Sequence, residues 1–128
     1  MKLMTKTAMF AVLAAAAATA YAGTRSQVQV QVNTTGRYAY GAMADARGSA
    51  DAYQQISCNT NSNSGSCYFV NSTGASGSCY TTNPTFIELI RSISSESYVF
   101  IQWNADATCS YVLVQNASFM KPGAVSGF

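Results

Sequence analysis

The alternation of apolar and polar residues changes character along the chain, and the changes mark its elements. Gln27-Val28-Gln29-Val30-Gln31-Val32 alternates strictly, which predicts a half-buried strand with its valines turned inward. Between Ser97 and Ser118 the pattern is denser. Tyr98 to Trp103 and Cys109 to Gln115 are rich in β-branched and aromatic residues, and only the polar run 104–108 separates them. If those five residues make the turn of a hairpin, Trp103 faces Cys109, Ile101 faces Tyr111 and Val99 faces Leu113. Phe100 with Val112 and Tyr98 with Val114 then share the other side. Both sides are apolar, so the pattern predicts central strands covered on both faces.

Between these ends the periodicity is weaker. Asn33 to Ser49 is small, polar and without a period, the pattern of a surface loop with at most a helical turn around Ala42 to Arg47. Ala52 to Cys58 reads as a strand, and Asn59 to Gly65 has no apolar residue and reads as a turn. Ser66 to Asn71 and Ser78 to Thr81 read as two further strands. The sequence Gly-Ser-Cys-Tyr recurs at 65–68 and 77–80, a likeness between neighbouring strands of a meander. The period then switches: Phe86, Leu89, Ile90 and Ile93 form one apolar stripe. Asn83-Pro84 or Thr85 starts a helix, predicted over Pro84 to Ser94, since Pro84 suits a first helical position and Thr85 with Glu88 has capping-box spacing. The expected class is α+β, a small antiparallel sheet of about five or six strands (a meander plus a C-terminal hairpin) with one helix packed on it. Residues 119–128 read as a tail.

The first 22 residues stand apart. Lys2 and Lys6 precede an apolar run from Ala8 to Ala18, and Ala20-Tyr21-Ala22 offers a small-x-small cleavage site, the layout of a signal peptide cut before Gly23. The apolar run is shorter than the ~20 residues needed to span a bilayer. Residues 23–128 are then one exported domain, secreted, periplasmic or displayed at the cell surface, and the alanine-rich leader suits a bacterial source. Without Lys2 and Lys6, five basic residues face five acidic ones. A neutral domain has no basic stripe for nucleic acid and no polybasic anchor for a membrane surface. Cys58, Cys67, Cys79 and Cys109 all fall in the exported part, an even count that implies two disulfides. Of the three possible pairings, Cys58–Cys67 closes the Asn-rich turn and Cys79–Cys109 joins strands on either side of the helix.

The chemistry open to the chain is narrow. It contains no histidine, so histidine-based triads, ribonuclease pairs and zinc clusters are excluded, and disulfides consume the thiols. Asp45 and Asp51 flank Arg47 in one predicted loop and make the best carboxylate pair for glycoside-type hydrolysis. Glu88 and Glu96 read as surface charges. Asp45, Asp51, Asn104 and Asp106 carry oxygen ligands, but in no calcium-loop spacing, and no metal or cofactor is expected. Tyrosines in a low-charge setting rich in Ser, Asn and Gly suit recognition by stacking and adaptable hydrogen bonds. Tyr38, Tyr40 and Arg47 are the candidate binding residues. The expectation is a small non-catalytic binding or surface-assembly protein whose partner is a protein or a carbohydrate, with self-association through Gln27 to Val32 as one route. A secreted carboxylate hydrolase is the alternative, and an inhibitor or toxin a third.

Overall fold

Seven strands in two antiparallel sheets form the framework of the computed structural model, which describes residues 26–120. The expected leader therefore lies outside the described residues, as does the tail from residue 121 onward. In chain order the elements are β1 (Gln31–Asn33), β2 (Tyr38–Ala42), α1 (Met43–Arg47), β3 (Gln55–Thr60), β4 (Gly65–Val70), β5 (Ser76–Thr81), α2 (Pro84–Arg91), β6 (Tyr98–Trp103) and β7 (Cys109–Gln115). A 3-10 turn, Ser118–Met120, follows. The larger sheet has the order β1-β2-β6-β7 and the smaller β3-β4-β5. The chain leaves the larger sheet after β2, builds the smaller sheet and α2, and returns with β6 beside β2.

The class is thus α+β with two disulfides, but the strands divide between two sheets instead of joining in one. The reason lies in where the apolar residues point. Val99, Ile101 and Val112 of the larger sheet and Phe69, Cys67 and Cys79 of the smaller one share a single core cluster with Ile90 of α2. Apolar residues on one side of each sheet are buried by stacking the sheets, as in a sandwich. Helix α2 packs against β7 of one sheet and β3 and β4 of the other, closing the side of the sandwich. Of the two expected starts it is Asn83-Pro84 that is used: Asn83 is the N-cap, and its Oδ1 accepts the Thr85 N–H at 2.9 Å.

Close approach of the sheets depends on two glycines. A Cβ on Gly77 would lie 2.4 Å from the Trp103 ring, and one on Gly41 would lie 3.1 Å from both Ile56 and the Val30 backbone. Glycine lets the facing layer enter where a side chain would stand. This explains why Asn33 to Ser49 does not read as a strand: it holds the β1–β2 turn, strand β2 and, where a helical turn was allowed, helix α1. The inward residues of β2 are Ala39 and Gly41, too small to give an apolar alternation, yet both are fully covered.

The segment Gln27 to Val32 keeps its alternation, with Val30 buried and its glutamines exposed. Only its end is a strand, paired with β2 of the same chain through Gln31↔Tyr40 and Val32↔Ala39. Upstream, the Ala42 N–H still donates to the Val28 carbonyl at 3.0 Å, but side chains take up the segment's own N–H groups: Asp45 Oδ2 accepts the Val28 N–H at 2.7 Å and Gln54 Oε1 the Val30 N–H at 3.0 Å.

Both disulfides are paired as expected, Cys58–Cys67 and Cys79–Cys109. Cys58, Cys67 and Cys79 stand in register across β3, β4 and β5. The third of the row crosses to β7, and the Tyr80 N–H donates to the Ala107 carbonyl beside it, so β5 is tied to the larger sheet twice. Among the described residues no helix is long and apolar enough to cross a membrane.

Candidate functional site: an aromatic sheet face

The hairpin register decides which side chains reach the outside. Trp103 faces Cys109 as the sequence suggests, but a bulge follows and Gln102 pairs with Tyr111, Ile101 with Val112, Phe100 with Leu113 and Val99 with Val114. The extra residue of the bulge, Ser110, shifts every later pair by one, and a one-residue slip exchanges the two faces of a strand. Tyr111 and Leu113, expected beside Ile101 and Val99, therefore point away from the core. The pair is not covered on both sides. Its inner side carries Val99, Ile101, Val112 and Val114, and its outer side carries Tyr98, Phe100, Tyr111 and Leu113.

Strand β2 adds to that outer side. Tyr40 pairs with Phe100 and Tyr38 with Gln102, which places both tyrosines next to the hairpin rings. The result is a cluster of five rings. Tyr38 and Tyr40 stack at 6.4 Å between ring centres, Tyr38 and Phe100 at 6.0 Å, and Tyr40 and Phe100 at 6.1 Å, all within 13° of parallel. Tyr40 and Tyr98 lie at 6.2 Å with tilted planes, and Tyr111 meets Phe100 edge-on at 5.8 Å. These are the offset and T-shaped geometries that the ring quadrupole favours. The rings half-bury one another, and Tyr111 at the edge stays 45% exposed.

The rim is polar and uncharged: Gln31, Asn33, Gln102 and Gln115 lie on the same side of the four strands, and Ala42, paired with Tyr98, is covered. Asn33 Nδ2 donates to the Tyr38 hydroxyl at 3.2 Å. Burial, and then the neighbouring Tyr40 phenol, push the Tyr98 hydroxyl above its ordinary value of 10.0, so it stays a neutral donor and acceptor.

Of the expected binding residues, Tyr38 and Tyr40 belong to this face, on a strand and not in a glycine-rich loop. Arg47 does not. It sits at the end of α1, where Nη1 donates to the Ser95 carbonyl at 3.3 Å, beside a hollow of about 280 Å3 lined by Met43, Gln54 and Ile56. Phe100, Tyr98, Tyr111 and Leu113 were missed as surface residues because the bulge leaves no mark in the apolar pattern.

The expected carboxylates hold backbone. Asp45 takes the Val28 N–H, while Asp51 Oδ1 accepts the Tyr53 and Gln54 N–H groups at 2.9 and 2.8 Å and Oδ2 accepts from Gln54 Nε2 at 2.7 Å. Those bonds, the Gln54 side chain first, hold the Asp51 carboxyl below the usual carboxylate range. A general acid needs the opposite shift. Among the described residues no group of three acidic or cysteine side chains is placed to hold a metal ion.

Comparison with known proteins gives no matching family model, no matching curated protein and no matching solved structure.

Proposed function

We propose that the chain is an exported, non-catalytic assembly protein, and that the aromatic face of the four-stranded sheet is where one copy meets another. The observation that carries this reading is an outer sheet face with five packed rings and Leu113 but not one charged side chain. Enrichment in Tyr and Phe with depletion of charge is the compositional mark of an interface centre, and a ring of amides suits its rim.

Several features favour a second copy as the occupant. Tyrosyl hydroxyls and glutamine amides each donate and accept, so the face is complementary to itself, as a two-fold interface requires. The part of the chain beyond the expected cleavage site has equal numbers of basic and acidic residues, so copies do not repel one another. Because segment 26–32 is bonded to its own chain, we place the contact on the sheet face and not on that segment.

Sedimentation velocity on the oxidised protein over a wide concentration range tests this. Concentration-dependent dimers or larger species are expected. Phe100→Ser with Tyr111→Ser is expected to leave a folded monomer, checked by circular dichroism. A wild type that stays monomeric throughout would overturn the reading.

A further inference from the structure

Among the described residues, three of the four exposed large hydrophobic side chains do not belong to the aromatic face. Tyr68 is 42% exposed, Tyr80 51% and Tyr53 58%, and all three lie on or beside the smaller sheet. Tyr68 and Tyr80 point outward from adjacent strands: Tyr68 is in register with Ser78, and Tyr80 with Ser66. They are therefore diagonal neighbours, with Cβ atoms about 7 Å apart. Tyr53 stands at the end of the same sheet, packed beside Gly74 in the β4–β5 turn. Among the described residues none of these rings touches another ring, in contrast with the cluster on the opposite sheet.

We propose that the outer face of the three-stranded sheet is a second binding surface, and that its ligand is an extended, uncharged polysaccharide. Not one of its nine outward positions on β3, β4 and β5 is charged. An acidic glycan would find no cation there to offset the loss of its hydration. A sugar ring in its chair form has an apolar C–H face and a girdle of hydroxyls. The first matches an open tyrosine ring and the second matches a floor of hydroxyls and amides. Here Tyr68 stands between Ser57 and Ser78 in register. Asn59 Oδ1 accepts from Ser66 Oγ at 3.0 Å, which leaves the Asn59 amide N–H groups to donate to a ligand.

A protein partner fits this face less well. Outside the tyrosines its only apolar outward residue is Val70, half-buried, so it lacks the wholly apolar anchors that Phe100 and Leu113 supply on the other side. The surface is a sheet and not a pocket, so a chain lies across the rings and is not gripped at its end. Tyr68 and Tyr80 would stack on separate residues of one glycan strand.

Co-sedimentation of the oxidised protein with cellulose, chitin and a neutral β-glucan tests the proposal, with alginate as the acidic control. Retention on at least one neutral polymer is expected, and none on alginate. Tyr68→Ala with Tyr80→Ala, which removes both stacking platforms, is expected to weaken retention by at least ~10-fold, or about 1.4 kcal/mol. Glu88→Gln, on the exposed surface of α2 and outside both sheet faces, is expected to leave retention unchanged. The positions are exposed, so an unaltered melting curve confirms folding. No retention on any neutral polymer, a preference for alginate, or retention indifferent to the double substitution would overturn it. So would loss of self-association in that variant, which would make the face a contact between copies. Glycan binding and assembly are read on opposite sheets, so either can fail alone.

Discussion

A methyl group added at Gly77 would sit 2.4 Å from the Trp103 ring, inside any contact that two carbons tolerate. The indole is rigid and is packed against the core, so either the ring or strand β5 must move. Gly77→Ala is expected to cost about 1–3 kcal/mol in urea denaturation. Trp103 is the chain's single tryptophan, so its emission should shift to the red as the ring is displaced. A second prediction at this scale concerns acid. Asp51 has its carboxyl lowered from 3.8 by Gln54 and Tyr53, and Asp106 by the Thr108 hydroxyl and then its N–H. A lowered folded value means that the stability these groups lend is complete above 3.8 and is lost as pH falls through their lower folded values. Urea midpoints between pH 6 and 2 should therefore fall in that window, and Asp51→Asn should remove part of the fall. Asp51 reads from the sequence as a candidate catalytic carboxylate, yet Asn and Asp in turns accept from the backbone two residues on, and Asp51 and Asp106 are used in this way. Asn61 and Asn71 do the same. The tight approach at Gly77 was not legible, since it depends on a ring 26 residues away.

Among the elements, α2 was the plainest in the sequence, and it begins where proline suggested. Its stability should depend on its first turn more than on its surface charge. Asn83→Ala is expected to cost about 1 kcal/mol by removing the cap. Glu88→Gln breaks an exposed ion pair with Arg91 (2.9 Å) and is expected to cost under about 0.5 kcal/mol. Thermal unfolding of the two variants compares them directly. Strand β2 shows the opposite case. With Ala39 and Gly41 inward and Tyr38 and Tyr40 outward, its apolar residues are on the wrong side for a pattern that assumes large residues lie within. The hairpin was legible as an element but not in register, because Ser110 carries no feature that distinguishes a bulge from a paired residue. The candidate site was thus half visible: two of its rings were chosen from composition, and the rest depended on a register that the sequence does not state.

At the scale of the molecule, two sheets stacked over one small core are held by a crosslink that spans them. Cys79–Cys109 closes 30 residues and joins the sheets, whereas Cys58–Cys67 closes nine between strands already paired. Chain entropy alone gives about 3.5 kcal/mol for the longer loop and about 2.5 for the shorter. Replacing Cys79 and Cys109 by alanine should therefore lower the urea midpoint more than replacing Cys58 and Cys67. The division into two sheets was hidden for a related reason: it needs contacts between segments far apart in sequence, and local periodicity does not record them. The Ser26 N–H donates to the Phe119 carbonyl at 2.7 Å, bringing the first and last stretches of the described fold to one point. A short splice there would make the backbone circular, and reopening it within Asn61 to Ser64 would reorder the strands in the gene while leaving their arrangement in space, and both outer surfaces, as they are.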